Sequence, residues 1–339
     1  MLLPIVIVFL VTSIISVIIG MFSTRITLVN NIDSGKIINK LDLSIEEETA
    51  KLNLLDQTVK AISVNSFYQL FSNDNMIALI IFSIIIGISI NTIKEKGNKF
   101  LELLESANLV IEKYLKIIMY YAPIGLGVYF ATLTATFGNE VVLGYIKTFI
   151  IYTVASMVVY FGIYSLYAFI SAGKKGLIAY WKNVVPPTIT ALATCSSAVS
   201  MPVNNKSVKE IGVSKDIADS TISLGTSFHK DGSTMGSVFK IMFLVHLFNA
   251  NSNVLKIFGV ALVATLLVSA VPIGGGTISE LFIIKMMEFP IAALPILTII
   301  ATIIDPLATV LNVTGDTASA MLISRIVDGK NWLKVTKKD

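Results

Sequence analysis

Long apolar runs, broken by short polar and basic stretches, organise this chain. The run from Pro4 to Phe22 and the run from Met76 to Ile93 carry no charge, and each predicts a helix able to cross a bilayer. The first has no basic leader and no small-residue cleavage pattern, so it reads as a span and not as a signal peptide. A third pattern, Ala107 to Phe137, starts amphipathic at Glu112, Lys113 and Lys116 and turns apolar after Tyr120. Val141 to Ile170 makes a long fourth span. Between the first two spans, residues 25–75 are polar and net acidic around Glu46-Glu47-Glu48, which predicts an exposed loop.

Beyond residue 180 the clean spans stop. Two segments read as helix, polar or glycine-rich tip, then helix, each half too short to cross. They are Val184 to Ile211, with a tip over Ala193–Ala198, and Val254 to Pro290, with a tip over Ser269–Gly276. Each is followed by a longer helix with polar residues in its middle. Ser214 to Phe248 is expected to break at Phe228–Ser233, and Ile291 to Val327 at Asn312–Asp316. A hairpin followed by a broken helix, twice over, is the pattern of an inverted repeat, whose binding sites lie where the broken elements meet. Irregular backbone at membrane depth survives only inside protein or along a cavity.

Composition narrows the class. The chain has 339 residues, 54% hydrophobic and 14% charged, with a mean hydropathy of +0.79, against about 25% charged in soluble domains. A soluble enzyme, a disordered chain, a disulfide scaffold and a nucleic-acid binder are excluded, and the lone Cys195 forms no intrachain disulfide. Lysines set the orientation, since Lys and Arg mark cytoplasmic loops. Lys94, Lys96 and Lys99 follow the second span, Lys174, Lys175 and Lys182 the fourth, and Arg325, Lys330, Lys334, Lys337 and Lys338 close the chain. The C-terminus is therefore expected in the cytoplasm, in a multi-pass protein of the cytoplasmic membrane. No Walker motif and no His-Glu-x-x-His appears, so ATP-driven transport and zinc hydrolysis are not indicated.

Asp231, Lys230, Asp305 and Asp316 stand in otherwise apolar stretches. Ionisable groups at membrane depth are costly and mark function by default. His229 is weaker evidence alone, and His246 and Lys240 read as interfacial or bundle-facing side chains.

These residues resemble the dicarboxylate/amino acid:cation symporters, the bacterial relatives of the excitatory glutamate transporters. Asn312-Val313-Thr314-Gly315-Asp316 is similar to that family's final-helix motif, and Met119–Gly125 to its fifth-helix segment. Ser196-Ser197 with Met201-Pro202-Val203 is similar to the first hairpin, and Ala270–Gly275 to a variant of the second hairpin tip. The resemblance implies an all-α polytopic fold with two re-entrant hairpins and two interrupted helices, assembled as a homotrimer and working as an elevator. It makes residues 1–24 the family's third helix, 25–75 an extracytoplasmic loop and 76–137 scaffold helices. Residues 138–183 become a transport-domain helix with its cytoplasmic loop, 184–327 the transport core and 328–339 a cytoplasmic tail. The family's first two helices have no counterpart, and the expectation is a fragment, with a reduced scaffold as the other reading.

By the same resemblance the substrate, an amino acid or small dicarboxylate, is held by Ser196, Ser197, Ser233, Val271, Gly275, Asp305, Ala308, Thr309 and Asn312. Asp305 would take the amino group and Asn312 and Ser197 the α-carboxylate. The arginines that pair an acidic side chain are replaced by Ala308 and Cys195, which puts acidic substrates in doubt unless Lys230 supplies the charge. Ion coupling falls to Thr12, Ser13, Ser227, His229, Lys230, Asp231, Asn312 and Asp316. Thr12, Ser13, Asp231, Asn312 and Asp316 offer the oxygen donors that sodium requires. The family's Asn-Met-Asp-Gly-Thr reads His229-Lys230-Asp231-Gly232-Ser233 here, and a tyrosine ligand reads Phe9. Sodium coupling and a proton-coupled or sodium-independent carrier, with Lys230 replacing a bound cation, both stand. No other cofactor, no enzyme activity and no nucleic-acid partner is expected.

Overall fold

The computed structural model describes residues 2–26, 28–29, 66–71, 76–121, 124–125, 127–128, 131, 135, 139–268 and 276–335. Among these, every regular element is helical. Two compact units form, residues 44–123 and the remainder, 1–43 with 124–339. The smaller contains α2 (Met76–Ile93) and α3 (Asn98–Met119), joined by a 3-10 turn over Lys94–Gly97. Helix α3 starts earlier than the apolar pattern from Ala107 suggests. Most of the predicted 25–75 loop lies outside the described residues.

The larger unit begins with α1 (Leu2–Ser23), which matches the first apolar run. Helix α4 (Asn139–Met157) passes through one π-helical stretch, Val158–Ile163, into α5 (Tyr164–Asn183). Among the described residues, three helical stretches, Leu2–Ser23, Val142–Asn183 and Ile291–Val327, are long and apolar enough to cross a membrane. The basic segment after residue 170, expected as a loop, is helical. The chain only kinks there, at Ala172 and Gly173, where Gly173 takes φ 62°, a conformation that glycine adopts without a Cβ penalty. The freed Ser171 carbonyl accepts from Arg325 Nη1 (3.3 Å) and Trp332 Nε1 (3.1 Å). Within the segment expected as a cytoplasmic tail, α13 (Trp332–Val335) buries Trp332 against α5.

A helical hairpin follows. Prolines start α6 (Val185–Thr194), which ends at Cys195 in the left-handed region, φ 49°. Ser196 then caps α7 (Ser197–Ile211), its Oγ accepting from the Val199 N–H, which satisfies one of the free first-turn donors. Helices α8 (Lys215–Phe228) and α9 (Asp231–Phe248) are parted at only two residues, His229 and Lys230. A second helix pair, α10 (Val254–Leu266) and α11 (Thr277–Met287), packs together. Its tip, with Val271 and Gly275, lies outside the described residues.

The last long helix corrects the sequence reading. Helix α12 (Leu294–Val327) runs unbroken through Asn312–Asp316, so the predicted second interruption is absent. Its polar stretch is held by groups far away in sequence. Tyr164 Oη donates to the Leu311 carbonyl (2.9 Å) and Asn204 Nδ2 to the Val313 carbonyl (2.8 Å). The Thr314 hydroxyl returns to the Val310 carbonyl (2.6 Å). Helix α12 is the hub of the unit, packing against α1, α4, α5, α6, α7, α8, α9 and α11.

Candidate functional site

The break between α8 and α9 is extended at His229 (φ −111°, ψ 112°). Adjacent side chains on extended backbone point to opposite sides, so His229 and Lys230 part company. The His229 ring turns inward and is fully buried. Its Nδ1 lies 2.7 Å from Asp316 Oδ1 and its Nε2 2.6 Å from Thr12 Oγ. The ring stacks on Phe9, with centroids 4.2 Å apart. The Thr12 hydroxyl donates to the Val8 and Phe9 carbonyls, both at 3.1 Å, so it accepts from Nε2–H. The ring thus bridges Thr12 and Asp316 through its two nitrogens, the N–H placed on Nε2 by assignment from these partners. Nε2 also sits 3.1 Å from Asp231 Oδ1. That is a charge contact and not a hydrogen bond, because the N–H is directed at Thr12 and Oδ1 accepts none.

Packing around the two carboxylates leaves no spare room. A Cβ on Gly225 would lie 2.4 Å from Asp316 Oδ1, and one on Gly315 would lie 2.7 Å from Tyr164 Oη and 3.1 Å from Asp231 Oδ2. Asp231 opens α9, where the positive end of the helix favours a carboxylate.

Lys230 goes the other way. Its ammonium donates to the Val268 carbonyl, just past the end of α10, and the side chain is buried. The expected occupant of the space between the aspartates was Lys230, and the structure puts His229 there instead.

One turn further on, Ser233 and Asn312 pair reciprocally. The Ser233 N–H donates to Asn312 Oδ1 (3.1 Å) and Asn312 Nδ2 to Ser233 Oγ (3.0 Å). Thr309 and Ala308 are buried on α12, and the Ala308 backbone lies against Gly232. Ser196 and Ser197 are buried at the first hairpin tip, with Ser196 occupied as a cap. Asp305 is half-buried. Ser13 is also half-buried and lines an apolar cavity of about 260 Å³ with Phe9, Phe228, Thr234 and Leu266. Ser227, expected among the ion-coupling residues, is exposed in the last turn of α8. His246 is half-buried, and its Nδ1 accepts from the Leu28 N–H at 3.2 Å.

Sequence reasoning missed Tyr152, Tyr164 and Asn204. Tyr152 Oη donates to the Gly232 carbonyl at 2.9 Å, and Asn204 Oδ1 accepts from the Thr317 hydroxyl at 2.5 Å. Hydroxyls and amides inside apolar helices were the available signal. Their partners lie 80 and 113 residues away, so spacing could not reveal them.

Residues 1–326 match the Sodium:dicarboxylate symporter family. This chain belongs to that family. Curated relatives include neutral amino acid transporter A of Homo sapiens, 24% identical over 269 residues, with 78% of this chain and 49% of the relative covered. Excitatory amino acid transporter 1 of Ambystoma tigrinum is 23% identical, covering 74% of this chain and 47% of its own. Excitatory amino acid transporter 2 of Mus musculus is 23% identical, at 74% and 44%. The chain spans about half the length of the curated relatives it matches. The symporter family and these relatives are transporters and not enzymes, and apolar helices of spanning length accord with a multi-pass membrane protein.

Set against the symporter family's coupling ion, the oxygen donors Thr12, Asp231 and Asp316 are already engaged with the His229 ring. A sodium ion does not fit among them while the ring stays.

Proposed function

We propose that this chain is a secondary carrier of a small amino acid or carboxylate, in which the His229 ring stands where relatives of this family would hold a coupling cation. The observation that supports it is the contact of one imidazole with Thr12, Asp231 and Asp316, all buried, at the only break between α8 and α9. Two carboxylates facing each other in an apolar core need a positive or hydrogen-donating partner, because unpaired buried charge costs several kcal/mol. The ring supplies that partner in this arrangement. With Ala308 and Cys195 at the positions discussed above, the carrier suits a substrate with an amino and a carboxylate group and no second acid. Residues 76–137 would serve as scaffold and 184–327 as the moving core of a homotrimeric elevator in the cytoplasmic membrane, with the C-terminus inside.

A second reading is sodium symport with the ring displaced when sodium binds, and the description of the matched family favours it. Uptake of a panel of neutral amino acids and C4 dicarboxylates into proteoliposomes, with sodium or choline outside, separates the two. The expected result is sodium-independent uptake by wild type and sodium-dependent uptake by His229→Asn. Steep sodium dependence in wild type that His229→Asn leaves unchanged would refute the first reading.

A further inference from the structure

A second buried charge cluster lies outside the site above. Lys240 on α9 and Glu280 in the first turn of α11 have side chains only 6% and 2% exposed, with Nζ 3.7 Å from Oε1. The other carboxylate oxygen, Oε2, accepts from the Thr298 hydroxyl of α12 at 2.8 Å. One carboxylate thus ties α11 to two other helices. The cluster also lies directly under the start of α11. A Cβ on Gly276, the residue before that helix, would come 3.1 Å from Glu280 Oε1 and 4.0 Å from Lys240 Nζ.

Nothing in the His229 cluster needs these two charges, and burying them is costly. Helix α11 has only 11 residues, and it packs through the apolar side chains Phe282, Ile283 and Ile284. Apolar contact alone lets a short helix slide or rotate, whereas one buried polar contact fixes register. The first hairpin is fixed differently, by the neutral bonds of Asn204 to Val313 and Thr317. The two arms of the Glu280 clasp are also unequal. Thr298 holds it at hydrogen-bond distance, and Lys240 at ion-pair distance only.

We infer that Lys240, Glu280 and Thr298 form a charge clasp that positions α11, and with it the edge of the second hairpin, on α9 and α12. Lys240 and Glu280 are positioning residues that hold a helix end in place and need touch no substrate.

Hydrogen exchange of the full chain in nanodiscs, without substrate, tests the clasp apart from any reading of transport. The variants are Glu280→Gln, Lys240→Met, the apolar double Lys240→Met/Glu280→Met and the exchanged pair Lys240→Glu/Glu280→Lys. The double variant leaves no unpaired charge, so it remains informative where a single variant fails to fold. The expected result is exchange in 277–287 faster by tenfold or more in the apolar double, with 197–211 unchanged. The exchanged pair should return 277–287 to within about threefold of wild type. In uptake assays, which rest on the carrier reading, the double should raise KM more than it changes Vmax. Wild-type exchange across 277–287 in the apolar double, or faster exchange spread equally over both hairpins, would overturn the clasp.

Discussion

Gly232→Ala is the sharpest test of how α9 meets α12. A Cβ at residue 232 would lie 2.3 Å from the Ala308 carbonyl oxygen, 2.7 Å from its Cα and 2.8 Å from its carbonyl carbon. All three are backbone atoms, so no rotamer change relieves the clash, and the helices must part by about 1 Å to restore ordinary contact. Overpacking of this kind costs roughly 1–3 kcal/mol, and backbone on both sides puts it at the upper end. The same separation stretches the Ser233–Asn312 pair, at 3.1 and 3.0 Å, and the 2.7 Å His229–Asp316 contact. Each hydrogen bond weakened adds about 1 kcal/mol. The clash and the three weakened bonds together come to about 6 kcal/mol, which lowers the melting midpoint by on the order of 10 °C. Trp181 and Trp332 are the only two tryptophans, and their fluorescence in detergent can follow the melt. Gly259→Ala on α10 is the control, since nothing lies within 4 Å of a Cβ there, and better helix propensity should make it neutral or stabilising by up to about 1 kcal/mol. A Gly232→Ala midpoint within about 2 °C of wild type would show that the helices yield freely, and the close approach would carry no weight.

Asn204→Ala should destabilise by roughly 1–2 kcal/mol, because it removes two buried hydrogen bonds at once, to the Val313 carbonyl and from the Thr317 hydroxyl, which is left only its longer 3.4 Å contact with that carbonyl. Urea melts of the purified protein check this, and a loss below about 0.5 kcal/mol would contradict it. Trp332→Ala should release the chain end from α5, since it removes a buried ring and its bond to Ser171. Limited proteolysis should then clip that end many times faster while the rest of the digest pattern is unchanged, and unaltered clipping would count against docking.

Much of the helix order was legible because lipid-facing runs need only a count of apolar residues. The limits of α1 and α2 fall within two residues of the runs at Pro4–Phe22 and Met76–Ile93. The hairpin turn at Cys195-Ser196 was legible too, as small polar residues between apolar arms. Continuity of α12 was not, because Asn-Val-Thr-Gly-Asp, four of its five residues poor helix formers, looks like a break. The helix persists there because Tyr164 and Asn204 donate to its carbonyls from other elements. At the site, the charges were readable but their directions were not. His229 and Lys230 are neighbours in sequence and diverge in space, since one residue of extended backbone reverses the side on which a side chain falls. Glu280 escaped notice because its partner sits on another helix, 40 positions away.

Cys195 closes the first hairpin at φ 49°, partly exposed, and is the chain's one cysteine. A thiol-reactive fluorophore or spin label would therefore attach at a single known point without prior removal of any other sulfhydryl. It would sit at the junction of α6 and α7, next to the serines at the tip. Quenching or line-shape changes at that label, recorded as solutes are added one by one, would report on this corner of the molecule in an otherwise unaltered sequence. The left-handed backbone adds a built-in control. Cys195→Gly would remove the attachment point and relieve about 1 kcal/mol of local strain, so the unlabelled comparison protein should fold at least as well as the labelled one.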